Sequence, residues 1–563
     1  RYYPTTFKDF SEASFGSMML DLVAYVGDQL SFYADFQANE SFLDSAISYD
    51  NVNRLSNAMG YKTPGAAKST GMVAFYIIVP ASPNSRGPDL NYFPILQRGS
   101  LLSSKTGAVF TLIENVDFTD VDNATGNPPF FAVKAYGQVV SGQRRQQTEA
   151  VSSYTRFLRI QVDDSNISEI LSVKDNQGNE YYEVDYLTQD VIIKEFQNTS
   201  DNRQVVPFIM KLQPVPRRFI TEFTADGDTF IQFGYGSENN LTTDVVADPA
   251  DVVLNVNGRT HVTDQTFDPS NLIQTDKFGV VPSNTTLTIE YTANTADEIN
   301  LAVDGINEVL TPLFSFKDQA SLNQESLVSV ISSIEAENED PILGDTSIPT
   351  AEEIRERAFG TFAAQNRAVT RVDYINLIYR MPSKFGKVKR ANVVRDVDSL
   401  KRNLNVYLLS ENSNGDLIEP NTSLKENCTV WLNKYRMIND TIDVLGGKVI
   451  NIGIKFKVLP ELDVNRYELL DTCIQKLKDE FINIKFNIGE AIYISEIYKL
   501  LNEVPGVVDT TEVELFNRVG GVYSNYVYDV DSNLSDDGRF LLLPEDAAAE
   551  VLLPDLDIVG AVT

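Results

Sequence analysis

Ile450-Asn-Ile-Gly-Ile-Lys-Phe-Lys-Val458 alternates without a break. Ile450, Ile452, Ile454, Phe456 and Val458 fall on one face, and Asn451, Gly453, Lys455 and Lys457 on the other. A period of two belongs to a strand with one buried and one wet face. Just downstream the period changes. Leu470, Cys473, Ile474, Leu477 and Phe481 recur every three or four residues and predict a helix. A short helix from about Ser495 ends at Pro505-Gly506, and another strand begins at Val507. Upstream, Asn405-Val-Tyr-Leu-Leu409 predicts a strand, and Lys425–Arg436 a helix carrying the only tryptophan, Trp431. Residues 386–525 therefore read as a C-terminal α+β sandwich.

The stretch before it, 318–385, reads as helical. Thr350-Ala-Glu-Glu353 is a capping box, in which Thr350 and Glu353 each satisfy a terminal backbone donor. It opens a helix carrying Ile354, Ala358 and Phe362. Thr370-Arg-Val-Asp373 is similar and leads into Tyr374, Leu377 and Ile378, with Pro382 as the stop. Arg367 stands where it can meet the last carbonyls of the first helix while Thr370 caps the second. The motif reads as a structural elbow, with an anion site at Arg367 or Arg371 as the lesser reading.

From Gly71 to about Leu310 short strands dominate. Met72-Val-Ala-Phe-Tyr-Ile-Ile-Val79 is β-rich, and Ser82–Pro94 is a Pro-bearing loop. Lys174-Asp-Asn-Gln-Gly178 and Ala225-Asp-Gly-Asp228 supply turns between strand-like runs. Two β-rich regions are expected, 65–150 and 151–317. Gly234-Tyr-Gly236 is no phosphate loop, because the third glycine, a following helix and a Gly-Lys-Ser/Thr ending are all missing.

Residues 1–64 read as two helices. Phe15, Met19, Leu22, Val26, Gln29, Tyr33, Phe36, Glu40 and Leu43 follow alternating spacings of four and three, a heptad seam that is apolar except at Gln29 and Glu40. Met18, Tyr25 and Phe32 widen the stripe. A shorter helix from about Ser48 turns Val52, Leu55 and Met59 inward, and Gly60 and Pro64 end the unit. Such a pair can pack on its own domain or offer its first helix to an intermolecular bundle. Polar seam positions set register and partner number, which favours the bundle. Leu22, Val26, Gln29, Tyr33 and Phe36 are then the partner contacts.

The final segment, 526–563, holds nine acids and one base, Arg539, around Leu541-Leu-Leu-Pro544 and Val551-Leu-Leu-Pro554. That composition predicts no core of its own. The segment reads as a disordered tail or as an arm laid over a neighbour; its apolar clusters favour the arm, with Leu541, Leu542, Leu552 and Leu553 as contacts.

Whole-chain composition narrows the function. A chain of 563 residues calls for three or four units, since one core rarely grows past roughly 250–300 residues. With 47 Lys+Arg against 79 Asp+Glu the formal net charge is −32. Duplex nucleic acid and anionic membrane need clustered cations, so both are poor partners. Cys428 and Cys473 are too few for a disulfide framework or a zinc site and read as small core residues. No apolar run approaches the roughly 20 residues that span a bilayer. No signal peptide is visible, which makes a cytosolic, reducing context the expectation. The one histidine, His261, sits in a polar segment without the partners that triads or histidine metal sites need. No catalytic, metal or cofactor-binding residue is expected, and the chain reads as a non-enzyme.

Several stretches together resemble the baseplate J-like family of contractile phage tails. They are Met19-Leu-Asp-Leu-Val-Ala-Tyr-Val-Gly-Asp-Gln-Leu30 with Asn39-Glu-Ser-Phe-Leu43 and Gly60-Tyr-Lys-Thr-Pro64, then Pro94–Leu102, Phe233-Gly-Tyr-Gly236, Phe278-Gly-Val-Val-Pro282 and Thr288-Ile-Glu-Tyr291. Most specific is Glu352–Ala358 running to Asn366-Arg-Ala-Val-Thr-Arg-Val-Asp-Tyr374, followed by Ile488-Gly489 and Val504-Pro-Gly-Val507. Tyr235 and the turn Gly344–Thr350 depart from the family's pattern, and the segment after about 525 lies outside it.

The resemblance implies a structural baseplate wedge protein in the virion tail, assembled in the host cytoplasm. It implies a second copy of the chain, with a smaller wedge protein joining the N-terminal helices in a bundle. Sheath-initiating and ring-clamping subunits and the tail tube and hub would be neighbours. The assembled ring would encircle the tube and widen on contraction. Two other classes remain: a receptor- or glycan-binding tail protein, which usually shows a repeat period absent here, and the equivalent subunit of a phage-derived injection device.

Overall fold

The computed structural model describes residues 15–82, 87–118, 124–127, 129–197, 208–224, 228–236, 278–319, 322–364, 367–396, 403–462, 464–483 and 486–562. His261 lies outside the described residues. The fold is multidomain α+β. Among the described residues the helices are α1 (Phe15–Asn39), α2 (Tyr49–Ala58), α3 (Gln324–Ser332), α4 (Ala351–Ala364), α5 (Arg371–Tyr379), α6 (Thr422–Asn433), α7 (Arg466–Asn483), α8 (Ile494–Asn502) and α9 (Pro554–Asp557). The chain forms two compact units, Arg1–Thr63 with Ile348–Arg380, and Pro64–Ser347 with Met381–Thr563.

The first unit holds α1, α2, α4 and α5. Its core gathers Leu43, Ala46, Val52, Tyr61, Ile354 and Ala358. Glu40, which the heptad pattern puts on the seam, lies just past the end of α1. Its carboxylate accepts from the backbone N–H groups of Ile47 (2.7 Å) and Ser48 (3.1 Å) and from Asn51 Nδ2 (2.7 Å). The Asn51 amide first, and then the Ile47 N–H, hold this carboxyl below the usual carboxylate range. Glu40 therefore closes a loop onto the start of α2, whose orphan donors need an acceptor. Leu43 is likewise in the loop, so the helical seam stops at Phe36.

The second unit is a chain of sheets. The first has the strand order 306–311, 101–104, 109–112, 130–141, 70–80, 335–337, with 124–127 beside 130–141. Phe75, Ile77, Val79, Phe110 and Val133 fill its core, with Val330 of α3. Two of its strands come from far along the chain, which local pattern does not reveal. The second sheet runs 143–151, 285–293, 167–175, 180–183, 218–223, 229–233, 159–161 around Val173, Ile231, Phe233, Leu287 and Ile289. At its end Phe233-Gly-Tyr-Gly236 lies backbone to backbone against Phe278-Gly-Val280. Tyr235 and Gly236 N–H donate to the Gly279 carbonyl at 3.2 and 2.8 Å. A Cβ on Gly234 would stand 1.9 Å from the Phe278 carbonyl oxygen, so only glycine permits the approach.

In the C-terminal region 403–411 pairs with 390–395, 417–418 and, in parallel, 441–446. The last sheet centres on Lys448–Pro460, the strand with the clean alternation. Ile450, Ile452, Ile454, Phe456 and Val458 are all buried, packed with Leu469, Cys473 and Leu477 of α7 and Ile497 and Leu501 of α8. The expectation of a uniformly wet opposite face is corrected for its first half. The Asn451 side chain accepts from Ser524 N–H at 2.7 Å, and the Phe516 ring lies over Gly453, where a Cβ would be 2.3 Å away. Lys455 stays exposed and pairs with Glu514 at 3.0 Å.

The segment after 526 is no arm over a neighbour. Ala547–Glu550 pairs in parallel with Lys448–Asn451, and Ile558–Val562 pairs in parallel with Ile454–Val458. Leu541, Leu543, Val551 and Ile558 are in the chain's own core. Two of its acids are ligands of the fold. Glu550 accepts from Leu417 N–H at 3.1 Å, and fully buried Asp557 accepts from Arg518 Nε (3.2 Å), Tyr523 Oη (2.7 Å) and Leu553 N–H (2.9 Å). High acid content signals solvation only when no donor is near. Here donors arrive from 417, 518 and 523, far away in sequence.

Candidate interaction surface

α1 is 25 residues long and makes no extensive contact with α2, α4 or α5, the other described helices of its unit. Yet its side chains are those of a core helix. Met18, Met19, Leu20, Leu22, Val23, Tyr25, Val26, Leu30, Phe32 and Tyr33 are all exposed, Val26 to 48% and Tyr33 to 59%. Among the predicted seam residues, Leu22, Val26 and Tyr33 are exposed, and Gln29 and Phe36 are half-buried. Phe32 stacks on Phe36 at 6.3 Å between ring centroids and meets Tyr33 edge-on at 5.9 Å, contacts along the helix itself. Exposed apolar surface of this extent on an ordered helix marks an interaction site.

The elbow residues come together as pairs. Glu353 Oε2 accepts from Thr350 N–H at 3.1 Å, and Thr350 Oγ1 accepts from Glu353 N–H at 3.3 Å. Asp373 Oδ2 accepts from Thr370 N–H at 2.8 Å, and Thr370 Oγ1 accepts from Asp373 N–H at 3.2 Å. Tyr374 is buried behind the second box. Arg367 behaves otherwise. Its side chain is exposed, and its backbone N–H, rather than its guanidinium, donates to the Ala364 carbonyl. Thr370→Ala should cost about 1 kcal/mol, read as a lower thermal midpoint for the unit that holds α5; an unmoved midpoint would show the cap to be idle.

Arg355 escaped the sequence reading. Its Nε donates to the Leu43 carbonyl at 2.9 Å, and its Nη2 to the Ala46 carbonyl, tying the loop after α1 to α4. Nothing in the spacing could announce it, because its acceptors are main-chain atoms about 310 positions away. Of the C-terminal contacts expected, Leu541 is buried in its own domain, Leu552 and Leu553 are half-buried, and Leu542 is exposed.

The second unit holds a cluster of buried charges. Lys389 Nζ lies 3.1 Å from Glu411, whose other oxygen accepts from Ser347 N–H at 2.6 Å, and Lys387 lies 3.6 Å from Asp345. Burial pushes the Asp345 carboxyl up and the Lys387 ammonium down. Each charge has an opposite partner, which is the arrangement of an internal tie. Cys428 and Cys473 are buried and unbridged, and burial pushes the Cys428 thiol up to about 12 and the Cys473 thiol up to about 11. Among the described residues no group of three or more His, Cys, Asp or Glu could hold a metal ion, and no helix is long and apolar enough to cross a membrane.

Residues 4–58, the stretch that holds α1 and α2, match the family model described as "Bacteriophage baseplate protein, N-terminal domain". This part of the chain is thus similar to a baseplate protein's N-terminal domain. Among solved structures, a chain of "Cryo-EM structure of the anti-feeding prophage (AFP) baseplate, 6-fold symmetrised" is 10% identical, covering 96% of this chain and 87% of that chain with a TM-score of 0.24. A superposition that loose carries no argument. No curated protein sequence matches the chain.

Proposed function

We propose that the chain is a non-enzymatic structural subunit of a contractile-tail baseplate wedge in the virion tail. Two copies join through their α1 helices, with a helix of a smaller wedge protein, and the assembled chains close a ring around the tail tube. The single observation that carries this reading is α1 itself, an exposed apolar helix inside the stretch similar to a baseplate protein. A helix apolar over most of its circumference is buried in its working state, and the described residues of its own unit leave it exposed. Ring closure and widening on contraction rest on the family resemblance and require repeated, bistable interfaces.

Gold-labelled antibody against the chain, applied to purified tails, tests the location. Label confined to the tail end distal to the capsid is expected. Label along the sheath, or none on intact tails, would overturn the proposal.

A further inference from the structure

The heptad register of α1 places every one of its charges on a single row. With Met19, Val26 and Tyr33 at position a and Leu22, Gln29 and Phe36 at d, position g holds Met18, Tyr25 and Phe32, and e holds Val23, Leu30 and, near the end of the helix, Gln37. The apolar arc therefore runs from g through a and d to e, wide enough for more than one neighbouring helix. Asp21, Asp28 and Asp35 all fall at c, which borders g on the helical wheel, and α1 contains no Lys or Arg. On the other border, beside e, position b holds Leu20, Gly27 and Ala34.

The α1 helix of a second copy cannot answer this row. In a parallel pair the g side of one helix faces the e side of the next, so the acids would meet Leu20, Gly27 and Ala34. In an antiparallel pair g faces g, and Asp would meet Asp, which is repulsive. Neither pairing of α1 with itself sets a cation beside the Asp row.

We propose that the acidic border of α1 is occupied by a helix of another protein that presents Lys or Arg at seven-residue spacing beside its own apolar seam. This rests on reading α1 as a bundle helix and names its partner's chemistry. The apolar arc supplies the affinity, and the Asp row selects the partner and its register.

Two designed helical peptides test it, identical in a Leu/Ile seam and differing only in Lys or Glu at the border positions. Each is titrated against the full chain at low and high salt. The Lys peptide should bind about tenfold tighter at low salt, the advantage should shrink at high salt, and D21K/D28K/D35K should reverse the preference. Equal binding of both peptides, or a preference the triple variant leaves unchanged, would overturn the charge assignment while the bundle reading stands. Binding of neither, with the chain monomeric throughout, would overturn both. Displacement of both peptides by self-association of the chain would assign the arc to second copies and also overturn the proposal.

Discussion

Val26→Asp combined with Tyr33→Asp abolishes self-association while leaving the folded chain intact. Both side chains sit on the α1 seam and are exposed in the isolated chain, so neither change removes a contact that holds the unit together. In the proposed bundle each would be buried. Losing an apolar side chain of this size from a dry interface costs roughly 1.5–3 kcal/mol, and two are lost from each of two helices. An unpaired carboxylate in their place adds a desolvation penalty. Association should weaken by at least about four orders of magnitude, measured by analytical ultracentrifugation across a dilution series, with the thermal midpoint unmoved. If the double variant associated like the parent, the seam would be in the wrong place. A falling midpoint would mean that α1 packs on its own unit after all.

Removing residues 540–563 collapses the C-terminal domain. This follows from the parallel pairings of 547–550 and 558–562 with the central strand 448–460. Leu541, Leu543, Val551 and Ile558 leave the core with that segment. At roughly 1.5–3 kcal/mol each, their loss is comparable with the ~5–15 kcal/mol that keeps a domain folded. It also uncovers the long edge of the Ile450–Val458 strand, an invitation to aggregation. Calorimetry should lose one transition, and limited proteolysis should cut within 448–518. Ile558→Ala, which keeps the chain length, should lower the same transition by about 2–5 kcal/mol. An arm would behave differently: truncation would leave every transition where it was.

How far the sequence reached is visible in these two cases. The alternation at Ile450–Val458, both capping boxes and the α1 seam each depend on residues within one or two turns, or a few positions along one strand. Local spacing shows them directly. The elements that were missed depend on distance. The central strand's first half is covered on both faces because Phe516 and Ser524 return to it from the following strand and loop. The acidic end of the chain folds because Arg518, Tyr523 and Leu417 supply donors to Asp557 and Glu550. Composition, which averages over neighbours in sequence, reads such buried and satisfied acids as solvated ones. Glu40 shows the same at short range. Its spacing fits a heptad, yet the helix has ended, and the open N-terminus of α2 takes the carboxylate.

For the interaction surface the sequence supplied the pattern, and the fold supplied the decisive fact that no described residue of its own unit covers it. Periodicity is the same for a helix buried by its own domain and for one buried by a neighbour. Exposure separates them, and it belongs to the tertiary structure.

The most direct measurement is the native mass of the full chain at micromolar concentration, beside a variant lacking residues 15–39, each alone and with a candidate wedge partner. The full chain should form a dimer or a two-to-one complex that builds into larger assemblies, and the shortened chain should remain a folded monomer that ignores the partner. A full chain that stays monomeric in both settings, or a shortened chain that assembles equally well, would contradict the role assigned to α1.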